Sequence, residues 1–170
     1  MGSPGELEQL YERHSQALFA FLLNFTRSEA DTRDIIQEIF RRLASRPHAL
    51  EDVREERSFL LRMAHNLAID FMRRRLAQCR SREALAIESV DLFAPAADPD
   101  EQAFRAQLTA ALSELPAEQR AVVHLKLWEE LTFEQIAETL GISANTAASR
   151  YRYGLDKLRA RLRPIYNEIQ

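Results

Sequence analysis

"LTFEQIAETLGISANTAASRYRYGLDKLRARL", residues 131–162, holds two helical patterns separated by a turn. Thr132, with Gln135 three residues on, is a capping box that opens a short helix. Gly141 follows the last apolar positions of that helix and can take the left-handed conformation that ends it. Ser143 then caps a longer helix, whose inward stripe is Ala147, Tyr151, Leu155, Leu158 and Leu162. Ala137 is small where the two helices must cross closely. Two helices joined by a short turn containing Gly form a helix-turn-helix. On another face of the longer helix stand Thr146, Ser149, Arg150 and Tyr153, spaced three, one and three. Arg can read guanine edges in a major groove, while Ser, Thr and Tyr hold phosphates or bases. A solvated amphipathic helix is the plainer reading of these four. The helix and turn in front of them favour duplex DNA.

Working back toward the N-terminus, "PAEQRAVVHLKLWEE" reads as a helix with Pro116 in its first turn. "AFRAQLTAALSEL", from Ala103, reads as another, with Phe104, Leu108, Leu112 and Leu115 inward. The segment before it, "ESVDLFAPAADPDEQ", carries two prolines, several acids and no period, which marks a linker. A first module precedes the linker. Its opening helix spans about Glu6 to Phe25, with Leu7, Leu10, Tyr11, Leu18, Phe21, Leu22 and Phe25 in period. Ser28 caps a second helix, whose stripe is Ile35, Ile36, Ile39, Phe40 and Leu43. Pro47 breaks the pattern. A third helix runs from about Glu56 to Ala77, with Phe59, Leu60, Met63, Leu67 and Phe71 inward. The expected architecture is therefore all-α: two small helical domains at 1–80 and 103–170, joined by an acidic flexible linker at 81–102.

Composition agrees with this class. Of 170 residues, 46% are hydrophobic and 29% charged, and only 4 are Gly and 6 Pro, which argues against a turn-rich β protein. No apolar run is long enough to span a membrane, so a membrane protein is not expected. "MGSPGELEQL" has no secretory apolar core. A single cysteine, Cys79, excludes an internal disulfide and fits a reducing cytoplasm. Net charge is −3, which by itself does not suggest a nucleic-acid partner. The distribution does. Residues 62–82 carry six arginines and one acid, residues 83–101 six acids and no base, and residues 150–163 six bases and one acid. Local patches set binding to a polyanion.

The first basic patch lies on the third helix. Arg62, Asn66, Asp70 and Arg73, spaced four, four and three, share one face, and Arg74 and Arg75 follow. A charged surface whose arginines favour the helix C-terminus is one reading. Asn66 favours another, because a mid-helix Asn costs helix propensity and its amide can read a base edge. Phe59 and His65 are candidates to stack on bases, although Phe59 also suits the core. On the second helix, Asp34, Gln37, Glu38 and Arg41 share a face, either solvated and laced with ion pairs or a protein-docking surface. No catalytic set, phosphate loop or metal-ligand spacing is found. No cofactor, metal, small-molecule substrate or enzymatic activity is expected. Trp128, the sole tryptophan, is placed in the core.

Together these segments resemble the extracytoplasmic-function (ECF) sigma factors of bacterial RNA polymerase. "LYERHSQALFAFL" is similar to the start of their region two. "DTRDIIQEIFRRL" is similar to the segment that binds the coiled coil of the polymerase β′ subunit. "FLLRMAHNLAIDFMRRR" is similar to the helix that opens and reads the minus-ten element. "LSELPAEQRAVVHLKLWEELTFEQIAETLGISANTAASRYRYGLDKLRARL" is similar to region four, which binds the minus-thirty-five element and the β flap. The resemblance implies that Asp34, Gln37, Glu38 and Arg41 dock on core polymerase. It implies that Asn66 lines a pocket for a flipped minus-ten base, with Arg62, Asp70, Arg73 and Arg74 supporting the pocket or following the backbone. It places Arg150, with Thr146, Ser149 and Tyr153, on the minus-thirty-five element. It also implies an anti-sigma partner. The recognition helix departs from the family pattern at Ala147, Ala148, Tyr153 and Leu155, and Phe59 stands where Trp is frequent. A helix-turn-helix regulator that binds operator DNA without polymerase is the alternative reading.

Overall fold

The computed structural model describes residues 4–46, 48–51, 53–79 and 98–168, and these residues form seven α-helices with no strand among them. The chain divides into two compact units, residues 1–90 and 91–170.

The first unit holds α1 (Pro4–Thr26), α2 (Glu29–Ala44) and α3 (Glu56–Cys79). Its core is Leu18, Phe21, Leu22 and Phe25 of α1 with Ile35, Ile36, Ile39 and Leu43 of α2. The buried stripe of α3 is Leu60, Leu61, Ala64 and Ala68. Of the expected stripe Leu60 is buried, whereas Phe59, Met63, Leu67 and Phe71 are half-buried. Small alanines let α3 lie close against its neighbours, and that closeness turns the larger side chains to the flanks. Tyr11 is also displaced from its expected inward place: it is exposed and packs edge-on to Phe40, centroids 5.1 Å apart.

The α1–α2 turn is held by side chains. Ser28 Oγ caps α2 by accepting from Asp31 N at 3.2 Å. Thr26 donates its hydroxyl to Ser28 O at 3.1 Å, so in the buried 2.7 Å pair with Thr32 it is Thr32 that donates. Between them Arg27 adopts φ 55°, the left-handed region. Its Nε and Nη2 are buried with no hydrogen-bond partner among the described residues. Burial pushes its guanidinium pKa down.

The second unit holds α4 (Pro99–Glu114), α5 (Ala117–Leu127), α6 (Phe133–Leu140) and α7 (Ala144–Glu168). α4 starts ahead of the periodic stretch at Ala103, because Asp98 caps it, accepting from Asp100 N at 3.0 Å, and Pro99 fits the first turn. Residues 99–102, assigned above to the linker, are therefore helical, with Asp100 and Glu101 at the positive end of the dipole. Residues 81–97 of that linker lie outside the described residues. The core is Ala111, Leu112, Leu115, Val123 and Leu158, flanked by Leu108, Tyr151, Leu155 and Leu162. The buried Arg120 of α5 donates to Ser113 O at 3.0 Å and Leu115 O at 2.8 Å, satisfying carbonyls at the end of α4.

Both halves of the Thr132–Gln135 capping box are formed, at 2.8 and 3.2 Å. Gly141 has φ 66°, and Ser143 Oγ accepts from Thr146 N at 3.0 Å. α6, the turn Gly141–Ile142–Ser143 and α7 thus form the helix-turn-helix. Trp128 is not core: it is 40% exposed and stacks on the buried His124 at 5.3 Å.

One glycine has no loop role. Gly154 sits inside α7, where a Cβ would meet Val123 Cγ2 at 2.8 Å. Val123 is wholly buried and stiff at χ1, so it gives way only at a cost.

Two stability changes follow, each measured by thermal and urea unfolding of the full chain. Arg27→Gly should stabilise the first unit by about 1 kcal/mol, the left-handed strain relieved being partly offset by glycine's freedom when unfolded. Gly154→Val should destabilise the second unit by about 2 kcal/mol or more through overpacking. Gly154→Ala should cost less, because Ala gains roughly 1 kcal/mol of helix propensity over Gly.

Candidate polymerase-docking and nucleic-acid surfaces

Three helix faces carry the candidate residues. On α2, Asp34, Gln37 and Arg41 are exposed and Glu38 half-buried. Glu38 is the hub: Arg42 Nε reaches its Oε1 at 2.6 Å, and Arg41 Nε its Oε2 at 2.8 Å. The hydrogen bonds from Arg42 and Arg41 hold the Glu38 carboxyl below the usual glutamate range. Asp34 and Gln37 point outward beside this network. Gln37 also borders a groove between α1 and α2 lined by Tyr11, Ser15, Phe19 and Ile36, where Arg33 lies over the Phe19 ring at 5.7 Å. Sequence reasoning missed this groove, because it took Tyr11 as core.

On α3, Arg62, Asn66, Asp70, Arg73 and Arg74 are all exposed. They line up because steps of four, four and three residues return to one side of a helix. Arg62 lies over the Phe59 ring at 5.8 Å, which fixes that guanidinium at the start of the row. Asp70 and Arg73 are 3.7 Å apart. The Asn66 side chain has no partner among the described residues. Arg75 behaves differently: it turns back into the unit and meets Asp31 Oδ2 at 3.3 Å. His65 packs edge-on to Phe25 at 6.2 Å rather than standing in the row.

On α7 the four residues named from sequence are not equivalent. Thr146 belongs to the helix cap, its hydroxyl 2.8 Å from Ser143 Oγ. Ser149 is half-buried. Arg150 is bound by α5, its Nη2 2.6 Å from Glu118 Oε2. Tyr153 is 53% exposed, with the Arg152 guanidinium over its ring at 5.1 Å.

Two family profiles match the chain, "Sigma-70 region 2" over residues 10–77 and "Sigma-70, region 4" over residues 111–160. The ECF RNA polymerase sigma factor SigL of Mycobacterium tuberculosis is 31% identical over 163 residues, covering 94% of this chain and 90% of that protein. The chain belongs to the ECF sigma factors of RNA polymerase. The RNA polymerase sigma-E factor of Streptomyces coelicolor is also 31% identical, over 95% of this chain and 89% of its own length. SigX of Bacillus subtilis, another ECF factor, is 26% identical, covering 94% of this chain and 85% of that protein. The fold matches that of the sigma factor RpoE of Bartonella quintana, solved with the anti-sigma factor NepR, with TM-score 0.78 over 92% of this chain and 96% of that one at 23% identity. An ECF sigma factor directs promoter-dependent initiation by RNA polymerase and is not an enzyme. None of the described helices is long and apolar enough to cross a membrane.

The Glu38 network has a direct test. In an NMR carboxyl titration, Glu38 should ionise at lower pH than free glutamate, and Arg42→Ala should move it back up. Because the folded value is depressed, the contribution to stability is complete above the ordinary glutamate range and is lost as pH falls through the lowered value.

Proposed function

We propose that the two units divide promoter recognition, with residues 1–80 as region two, 81–102 as an acidic connector and 103–170 as region four. In this reading Asp34, Gln37, Glu38 and Arg41 dock on the coiled coil of the polymerase β′ subunit. Glu38, held ionised by its arginines, keeps a fixed negative charge at the centre of that face. Asn66 receives a base flipped from the minus-ten strand, and Arg62, Asp70, Arg73 and Arg74 support the pocket or follow the phosphates. Flipping costs a few kcal/mol, which pocket hydrogen bonds and the basic track must offset. Helix α7 enters the minus-thirty-five duplex with Thr146, Ser149 and Tyr153, its Arg150 being paired with Glu118, while region four also meets the β flap. The factor works in the cytoplasm and consumes no small molecule. An anti-sigma factor restrains it, a reading supported by the partner solved with the Bartonella quintana relative.

The observation that carries the proposal is Asn66. It is exposed, unpartnered among the described residues, and sits midway along a row with arginines at both ends. A solvated helix face has no use for an asparagine there.

Run-off transcription with purified core polymerase tests the division. Asn66→Ala should co-elute with core like the wild type, yet lower promoter-specific transcript by about tenfold or more, the loss of pocket hydrogen bonds. Asp34→Lys should do the reverse and weaken core binding by about tenfold through a reversed charge. Full transcription by Asn66→Ala would remove the base-capture role.

A further inference from the structure

The face that α7 turns outward is not the one its arginine count suggests. Ala147 and Gly154 are buried, and Arg150, three residues after one and four before the other, shares their strip. That strip leads toward α5, where Glu118 takes the Arg150 guanidinium at 2.6 Å and leaves its side chain 26% exposed. The opposite strip runs Asn145, Ser149, Arg152 and Asp156, at steps of four, three and four, with Tyr153 beside it. Asn145 and Arg152 are exposed. Asn145 has no side-chain partner among the described residues. Arg152 lies only over the Tyr153 ring, a contact that orients a guanidinium without occupying its N–H groups.

We infer that Asn145 and Arg152 are the base-reading residues of α7, and that Arg150 is a brace between α7 and α5. This deepens, and rests on, the proposed role of α7 in binding the upstream duplex. Recognition helices present their N-terminal turns to base edges. Asn145 stands in the first turn of α7 and Arg152 in the third. An Asn amide pairs in two places with adenine, and an Arg guanidinium with the two major-groove acceptors of guanine. Seven residues separate them, a rise of about 10.5 Å, or about three base-pair steps. The upstream element should therefore show an adenine and a guanine preference about three base pairs apart. Tyr153 holds the Arg152 plane in place, much as Phe59 holds Arg62 on α3.

The test uses the full chain with core polymerase on a promoter library randomised over the upstream element, with transcripts sequenced. Asn145→Ala should flatten one adenine preference by about tenfold. Arg152→Lys, which keeps the charge but loses the fork, should flatten one guanine preference by a similar factor. Arg150→Gln and Glu118→Gln should lower the melting temperature and leave every base preference within about twofold. Loss of a base preference in Arg150→Gln, or an unchanged motif in Arg152→Lys or Asn145→Ala, overturns the assignment. If the wild type selects no upstream sequence at all, the reading of α7 as the promoter-binding helix falls and takes this inference with it. Failure confined to the variants overturns this inference alone.

Discussion

Helix α7 lies so close to α5 that one added carbon at residue 154 would sit 2.8 Å from Val123 Cγ2. That approach fixes the rotation of the longest helix of the second unit. With Gly154 and Ala147 against the unit, Arg150 comes out beside Glu118, and Asn145, Arg152 and Tyr153 come out in water. A larger residue at 154 would lift α7 and change which side chains face a ligand. Glycine weakens a helix interior, so its presence here exchanges local stability for the packing that sets the face.

The two units solve the problem of helix ends in different ways. The first uses hydroxyls: Ser28 caps α2, while Thr26 and Thr32 close the turn before it. The second uses a cation, Arg120, on the final carbonyls of α4, and then the paired caps around the helix-turn-helix. Among the described residues these polar groups do structural work. Apart from Thr146, which belongs to the cap of α7, they are separate from the outward rows on α2, α3 and α7.

Much of this was readable in sequence where the cause is local. Ser28, the Thr132–Gln135 box, Gly141 and Ser143 each act within four residues, so spacing alone identifies them. The stripes of α1 and α2 followed, Tyr11 apart, because large apolar residues repeat with the helical period. Of the α3 stripe only Leu60 did, because Ala64 and Ala68 are small, and a pattern weighted to large residues slides onto Phe59 and Met63. The ion pairs of Arg150 and Arg75 were not legible for a different reason: their partners, Glu118 and Asp31, lie 32 and 44 positions away, beyond any local pattern. The arginine count of each basic stretch therefore overstates its free charge. Arg75, Arg150 and Arg161 all face acids within their own unit, Arg161 meeting Glu114 at 2.9 Å. Trp128 was placed in the core because tryptophan usually is, whereas it stands at the end of α5, 40% exposed.

That partly exposed ring has an optical consequence. Trp128 is the sole tryptophan in the chain and belongs to the second unit. Its stacking on His124 ties its fluorescence to an imidazole contact that exists only when α5 is folded. The molecule thus carries an intrinsic reporter with one address: emission follows unfolding of the second unit, or anything that covers the end of α5. The first unit, which has tyrosine and phenylalanine but no indole, stays dark at wavelengths that excite tryptophan alone.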